Sequence, residues 1–439
     1  MFTRFPYPLR RRWAGYLILL AMMLMALGLI GLPIPTSVAG IGYWGAAALL
    51  WSGLSKRNRT QAVILLLIGG GCLAASYGLG ASISSTKLLS SNSNMLSMLV
   101  AVSFLSLVSR PSGQQQSLPS GARAVASTMG AVHLFGAIIN LSAVFIIGDR
   151  LSKRNTLTRE QSIVLVRSFT AAAFWSPFFG AMAITLGVVP LAKLSLLWLI
   201  SMPLALLSMV LTYWQMHRQT DIEAAPISDF TGYPLHLGGI WLPSLLAAAV
   251  LIAHQGWPSL SILAVITVLA PLFTLLVLTI TRRSLRSSID QLITGRLPQM
   301  GNELVLFLAA GVLAYGLANI LAITELVLPI TEFGALEATL TYLATVLLSL
   351  LGIHPIVGIA LAGSLLLPLD PDHTLLALVF LSAWAVGTST GPLSGINLAF
   401  QGRYGVDSFR IMRWNLSYLA IMSILVVIGI WLLANLLGV

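Results

Sequence analysis

Charge is what this sequence has least of. Only 8% of its 439 residues are Asp, Glu, Lys or Arg, against about 25% in an average soluble domain. A water-soluble fold of this size is excluded, because a soluble surface needs many more charged groups to stay hydrated. Cysteine is almost missing too. The single Cys72 has no partner in the chain, so no disulfide framework holds the fold. There is no phosphate-binding glycine loop, zinc-ligand cluster or nucleophile elbow. ATP-driven chemistry would therefore need a separate subunit. Long hydrophilic stretches are also absent, so no separate soluble domain is expected.

Apolar runs fill the space instead. Hydrophobic residues make up 57% of the chain, and runs close to the roughly 20 residues that cross a bilayer recur throughout. Trp13–Leu32, Ala62–Leu79, Leu194–Tyr213, Leu260–Ile280 and Leu416–Leu437 are examples. The expected fold is an all-α integral membrane protein. Its opening, MFTRFPYPLRRRWAGYLILL, has the basic flank of a signal peptide. The apolar run continues to Leu32 without a persuasive cleavage site, so it reads as an uncleaved first span. The net charge of +11 does not indicate nucleic acid, because the basic residues sit in short loops between spans and set topology.

That charge pattern constrains the path of the chain. With Arg4, Arg10, Arg11 and Arg12 on the cytoplasmic side, spans at 14–32, 39–54, 61–80 and 94–109 put Lys56, Arg57, Arg59 and Arg110 inside. The stretch Ala124–Gly148 has Arg110 and Arg123 before it and Arg150, Lys153, Arg154 and Arg159 after it. A crossing would place one of those clusters outside. A re-entrant hairpin keeps both inside, and broken backbone at such depth needs protein or a water-filled cavity around it. Spans at 163–190, 194–214, 237–254, 260–281 and 301–322 follow. The stretch 336–367 is flanked by Glu325, Glu332 and Glu337 and by Asp370 and Asp372; it reads as a second hairpin, entering from outside. Spans 374–401 and 416–438 complete about eleven transmembrane helices. Of the 24 Lys and Arg, all but Lys87, Lys193 and the intramembrane Arg167 then lie inside.

The two hairpin regions share an order of landmarks. Asn94 opens NMLSMLVAVSFL, His133 lies in GAVHLFGAIINLSA, and AFWSPFFGA carries Pro177 and Gly180. Asn302 opens NELVLFLAAGVL, His354 lies in LLGIHPIVGIALAG, and TSTGPLSGI carries Pro392 and Gly395. Each unit reads as span, hairpin, broken span, span, and the charge-derived topology gives the two units opposite orientations. The expected organisation is scaffold helices over 14–87, a first repeat over 92–214, connecting spans and a basic amphipathic loop over 237–298, and a second repeat over 299–439. In that loop Leu285, Ile289, Leu292 and Ile293 fall on one helix face, as in a surface-lying connector.

Inverted repeats with discontinuous helices are characteristic of secondary transporters, which hold their substrate near the bilayer midplane. Pro breaks the helix, and Gly lets the broken backbone approach a ligand. Half-helix N-termini offer partial positive charge to an anion. The layout resembles the ion transporter superfamily, most closely the divalent anion:sodium symporters, with arsenite permease-like proteins as cousins. Those symporters carry a Ser-Asn-Thr signature at each hairpin tip, which this sequence lacks. Its nearest stand-ins are Asn140 and Ser142 in INLSA and Thr388, Ser389 and Thr390 in GTSTGP. The resemblance implies a homodimer in which the hairpin domain moves as an elevator against a static scaffold.

Thr388, Ser389, Thr390, Ser394 and Asn397, around Pro392 and Gly395, are candidate ligands for solute or ion. Asn140, Ser142 and Ser176, with Pro177 and Gly180, are their counterparts. Hydroxyls in such positions also cap helix ends or bond back to carbonyls. His133 and His354 are candidate proton carriers or donors, although a lone satisfied His is commoner. Arg167 could meet an anion, or snorkel to the interface. Glu303 could carry a coupling proton, or be solvated near its span's end. Trp175 and Trp384 could stack on a solute, with packing the more usual role. No cofactor or bound metal is expected beyond sodium or protons as coupling ion.

The reading is a secondary active transporter, not an enzyme, moving a small anionic solute through a bacterial inner membrane. Its partners are that solute and membrane lipids, with no nucleic acid. The competing reading is a membrane enzyme handling lipid-linked sugars, which usually has a large outer loop bearing Arg and His. A structural subunit of a larger membrane complex is a third option.

Overall fold

A computed structural model describes residues 7–108, 118–153, 156–218, 226–235, 241–257, 259–324 and 332–439. The topology charges Arg4, Arg110, Arg154 and Glu325 lie outside the described residues, as do 237–240 of the seventh expected span.

The described chain is helical. Helices α1 (Tyr7–Leu29), α2 (Thr36–Leu50), α3 (Lys56–Gly78) and α4 (Ser85–Ser90) lead into α5 (Ser93–Ser103). Then come α6 (Ala122–Ile139), α7 (Leu141–Leu151), α8 (Arg159–Ala171), α9 (Gly180–Val188) and α10 (Leu194–Arg218). Next are α11 (Trp241–Gly256), α12 (Ile262–Ile280), α13 (Leu285–Gln291), α14 (Leu297–Gln299) and α15 (Gly301–Thr324). The chain ends with α16 (Ala335–Leu350), α17 (Pro355–Leu366), α18 (His373–Thr390), α19 (Gly395–Tyr404) and α20 (Ser408–Leu437).

Among the described residues, nine stretches are long and apolar enough to cross a membrane. With Leu206, Ile280 and Ile424 well over half exposed, such surfaces are stable only against lipid. The chain is a multi-pass membrane protein. The nine differ from the eleven expected spans for physical reasons. α2 and the apolar part of α11 are shorter than a full crossing, and the span over 163–190 is cut into α8 and α9. Ala122–Ile139, expected as one arm of a hairpin, is itself long enough to count.

The chain divides into two compact units. The first holds Met1–Val108, Ser244–Thr331 and Ala360–Pro368. Its close contacts use small residues: a side chain at Gly69 would sit 2.7 Å from the Leu313 backbone, so α3 and α15 touch backbone to backbone, as small residues permit in membranes. Tyr43 and Ser97 share a buried hydrogen bond of 2.7 Å. The Asn302 side chain, at the head of α15, accepts from Ser55 N at 3.3 Å.

The second unit holds Ser109–Pro243, Glu332–Ile359 and Leu369–Val439. It thus contains the α6–α7 hairpin, the turn of the second hairpin, both interrupted helices and the helices that follow them. The first span of each expected repeat falls in the first unit instead. Within the second unit α18 is the central element, with every residue from Thr374 to Thr390 buried against α8, α9, α10, α16, α19 and α20.

Both hairpins turn back on themselves. Asn140 reverses the first with φ 52°, a region open to Asn at less cost than to most residues. The return is measured at the far end. Arg150, at the end of α7, lies over the Tyr233 ring at 5.6 Å, and Tyr233 N donates to Thr128 Oγ1 on α6 at 2.7 Å. In the second hairpin, a side chain at Gly358 would meet Thr345 Cγ2 at 2.7 Å, so α17 folds back along α16.

Both broken helices are interrupted at proline. α8 tightens into a 3-10 turn over Ala172–Phe174 and ends before Pro177, and the chain resumes helix at Gly180. α18 ends at Thr390; Gly391, the residue before Pro392, is extended at φ −61°, ψ 119°. Proline disfavours helical backbone in the residue before it and supplies no amide of its own.

Candidate functional site

Each break carries a hairpin tip. At the first, Ser176 Oγ donates to Ala137 O at 2.5 Å and accepts from Phe178 N at 3.2 Å. Asn140 Nδ2 donates to Phe178 O at 3.2 Å. At the second, the contact is steric. A side chain at Gly391 would lie 2.8 Å from Ser349 O, and one at Gly352 (φ +92°) would collide with Leu393. Only glycine allows the second tip to reach its break this closely.

The two histidines sit beside their tryptophans. Trp175 Nε1 donates to His133 Nε2 at 3.1 Å, and His133 Nδ1 faces Ser168 O at 3.1 Å. An indole N–H can only donate and a carbonyl can only accept, so together these contacts fit a neutral His133 with its proton on Nδ1. His354 Nδ1 accepts from Ile356 N at 3.2 Å, and its ring meets Trp384 edge-on at 5.4 Å. The pairing recurs in space at different positions: Trp175 stands two residues before its proline and Trp384 eight before its own.

Around the second break the hydroxyls turn inward on their own helix. Thr388 bonds Trp384 O, Ser389 bonds Val386 O at 2.7 Å, and Thr390 bonds Val386 O at 2.8 Å. Ser394 Oγ caps α19 by accepting from Asn397 N at 3.4 Å. Pro392 lies in the break and Gly395 opens α19. Asn397, fully buried, donates through Nδ2 to Ser389 O at 3.4 Å and to Gly391 O at 2.9 Å. Its Oδ1 is buried with no hydrogen-bond partner.

Arg167 is joined to this break. It is 1% exposed, the one charged side chain among the described residues that is fully buried. Its guanidinium donates to Asn415 Oδ1 at 2.6 Å, Gln215 Oε1 at 2.6 Å and Trp414 O at 3.0 Å. The Tyr418 ring lies beneath it at 4.6 Å. Asn415 Nδ2 then donates to Ser389 O at 3.0 Å. Every one of these partners is neutral. The side chain does not snorkel to the interface; it is held by α10 and α20, and among the described residues no carboxylate pairs with its charge. A buried ion in that condition costs several kcal/mol.

The remaining candidates are placed differently. Ser142 is half-buried in the first turn of α7, and Gly180 opens α9. Glu303 belongs to the first unit, exposed in the first turn of α15. Asn415 and Gln215 did not stand out in the sequence. Asn415, one of two Asn in α20, stands at the head of the apolar run Leu416–Leu437, and a polar residue there can signal an internal partner.

No family model matches the chain, and no curated protein does. Among solved structures it is similar to the Alcanivorax borkumensis YdaH transporter, reported as having an unusual topology. The two share 14% identity at a TM-score of 0.45, over 99% of this chain and 98% of that one. These comparisons do not show the resemblance to the divalent anion:sodium symporters or the arsenite permease-like proteins. So distant a likeness carries no weight in the functional reading below.

Proposed function

We propose that this chain is a secondary active transporter of a small anionic solute, coupled to a sodium or proton gradient. One observation supports this reading above all: a single unit holds two interrupted helices, and a hairpin tip is seated on each break. Interrupting an apolar helix leaves amides and carbonyls unpaired at membrane depth, which is tolerated only where something else satisfies them. A chain that merely sat in the bilayer would have little use for two such arrangements. Transporters use them to bind solute and ion between half-helices.

The sign of the solute follows from Arg167 and the half-helix N-termini. α9 and α19 both begin at a break, so each points the positive end of its dipole there. Arg167 adds a full positive charge that no acidic side chain among the described residues pairs with. An anion is the partner that such a field favours. Opposed orientation of the two repeats, an elevator motion, a homodimer and a cytoplasmic N-terminus in a bacterial inner membrane belong to the same proposal.

Purified protein in a thermal-shift screen against carboxylates, sulfate and arsenite, with and without sodium, tests the reading. Ligands that bind the folded state raise its stability by mass action. Stabilisation by one anion class, followed by its gradient-driven uptake into proteoliposomes, is the expected result. Stabilisation by lipid-linked sugars alone would overturn it.

A further inference from the structure

The unpaired oxygen of Asn397 says more about the solute than its charge. Asn397 is 0% exposed, and its Nδ2 already serves Ser389 O and Gly391 O. Those two carbonyls fix the orientation of the amide: turning it over would set its oxygen against both of them. Oδ1 is therefore a true acceptor, held still, without a partner. Other buried orphans in the second unit, such as Ser168, Ser201 and Ser382, are hydroxyls, which can donate or accept. An amide oxygen can only accept.

Its position matters as much as its chemistry. Asn397 stands in the first turn of α19, a helix of 10 residues whose N-cap is Ser394. The first amides of a helix have no partner within it. Ser394 Oγ takes that of Asn397, which leaves those of Gly395 and Ile396 directed at the break. Through Ser389 O, Asn397 is also one link from Asn415, which Arg167 holds. The second break thus presents amide donors and a nearby positive charge together with one fixed acceptor.

We infer that the second break recognises an anion that also carries a hydrogen-bond donor, such as a hydroxycarboxylate or a hydrogen-bearing oxyanion. The anionic group meets the α19 amides within the field of Arg167, and the solute's O–H or N–H donates to Asn397 Oδ1. The inference rests on the transporter reading only in taking this break as a solute site. Rejection of close analogues follows, because an anion without the donor leaves a buried oxygen unpaired.

Matched pairs of probes test it on the full-length purified protein, read as melting temperature from tryptophan fluorescence. L-lactate is compared with propionate, and bicarbonate with nitrate, at equal ionic strength. The donor-bearing member of each pair is expected to bind about tenfold more tightly, the scale of one buried hydrogen bond. Asn397→Leu should abolish that preference, and Asn397→Ala provides a second variant should leucine prevent folding. Asn435→Leu, on the exposed face of α20 and away from both breaks, should leave it intact. No shift with any of the four probes overturns the inference, as does a preference that survives both Asn397 variants. Stabilisation by sodium chloride over choline chloride that disappears in Asn397→Ala would give the oxygen to a cation, and also overturns it. A donor preference without flux in proteoliposomes would remove the transporter reading and leave this one standing.

Discussion

The two breaks are built to the same plan and finished differently. At the first, the polar side chains that join tip to break are spent on backbone: Ser176 on Ala137 and Phe178, Asn140 on Phe178. At the second, glycine brings hairpin and break together sterically, and polar groups are left over. Asn397 keeps an unpaired oxygen, and Arg167, with no carboxylate partner among the described residues, lies behind Asn415, which shares Ser389 O with Asn397. The difference teaches how to separate a structural interruption from a binding one. Interruption alone frees backbone groups; a ligand site is where the surroundings decline to satisfy all of them.

Removing Arg167 should give the largest effect. Arg167→Met leaves Asn415, Gln215 and Trp414 as acceptors without a donor, each worth ~1–3 kcal/mol, partly offset by relief of the buried charge. A net loss of about 3 kcal/mol is expected in denaturant unfolding, together with loss of anion-dependent stabilisation. Arg167→Lys keeps the charge without the planar fork, so it should lose less of the anion response than of the stability. If Arg167→Met still responds to anions as the wild type does, the second break draws no field from it and the contrast collapses.

A smaller effect sharpens the same contrast from the other side. Ser176→Ala removes two hydrogen bonds at the first break and should cost about 1–2 kcal/mol. Anion affinity, measured by the same melting shifts, should remain within about twofold of wild type. A tenfold loss of affinity would place the ligand at the first break too.

The smallest effect is expected where the two broken regions meet at their outer ends. Arg403 donates to both oxygens of Asp149, at 2.6 and 2.5 Å, and Tyr404 Oη donates to Asp149 at 3.0 Å. This clasp ties the returning arm of the first hairpin to α19. Its side chains are 51% and 43% exposed, so water and salt compete with it. Asp149→Asn should lower stability by at most about 1 kcal/mol, less at high ionic strength. A larger or salt-independent loss would show that the clasp is a fixed part of the fold.

Much of this was legible in the sequence. Most of the spans, both helical hairpins and both interruptions follow from apolar length, flanking charge and the position of Pro177 and Pro392, because these are local or one-dimensional signals. Charge flanks found the α6–α7 turn even though Ala122–Ile139 alone would pass as a span. The division into units was not legible. Contiguous repeats were expected, whereas the first span of each is grouped with the scaffold helices, a choice made by side-chain packing between distant segments. At the site, the residues around each break were visible as polar letters in apolar runs. Their satisfaction was not: nothing in the sequence distinguishes Ser176, which is bonded, from the oxygen of Asn397, which is free. Arg167 looked like an interfacial residue because its partners, Gln215 and Asn415, lie 48 and 248 positions away.

Hydrogen exchange across both breaks, with and without L-lactate, compares them in one experiment. Amides of 391–397 should gain protection on adding lactate while those of 175–180 stay unchanged. Equal protection at the two, or protection confined to 175–180, would contradict the assignment of binding to the second break.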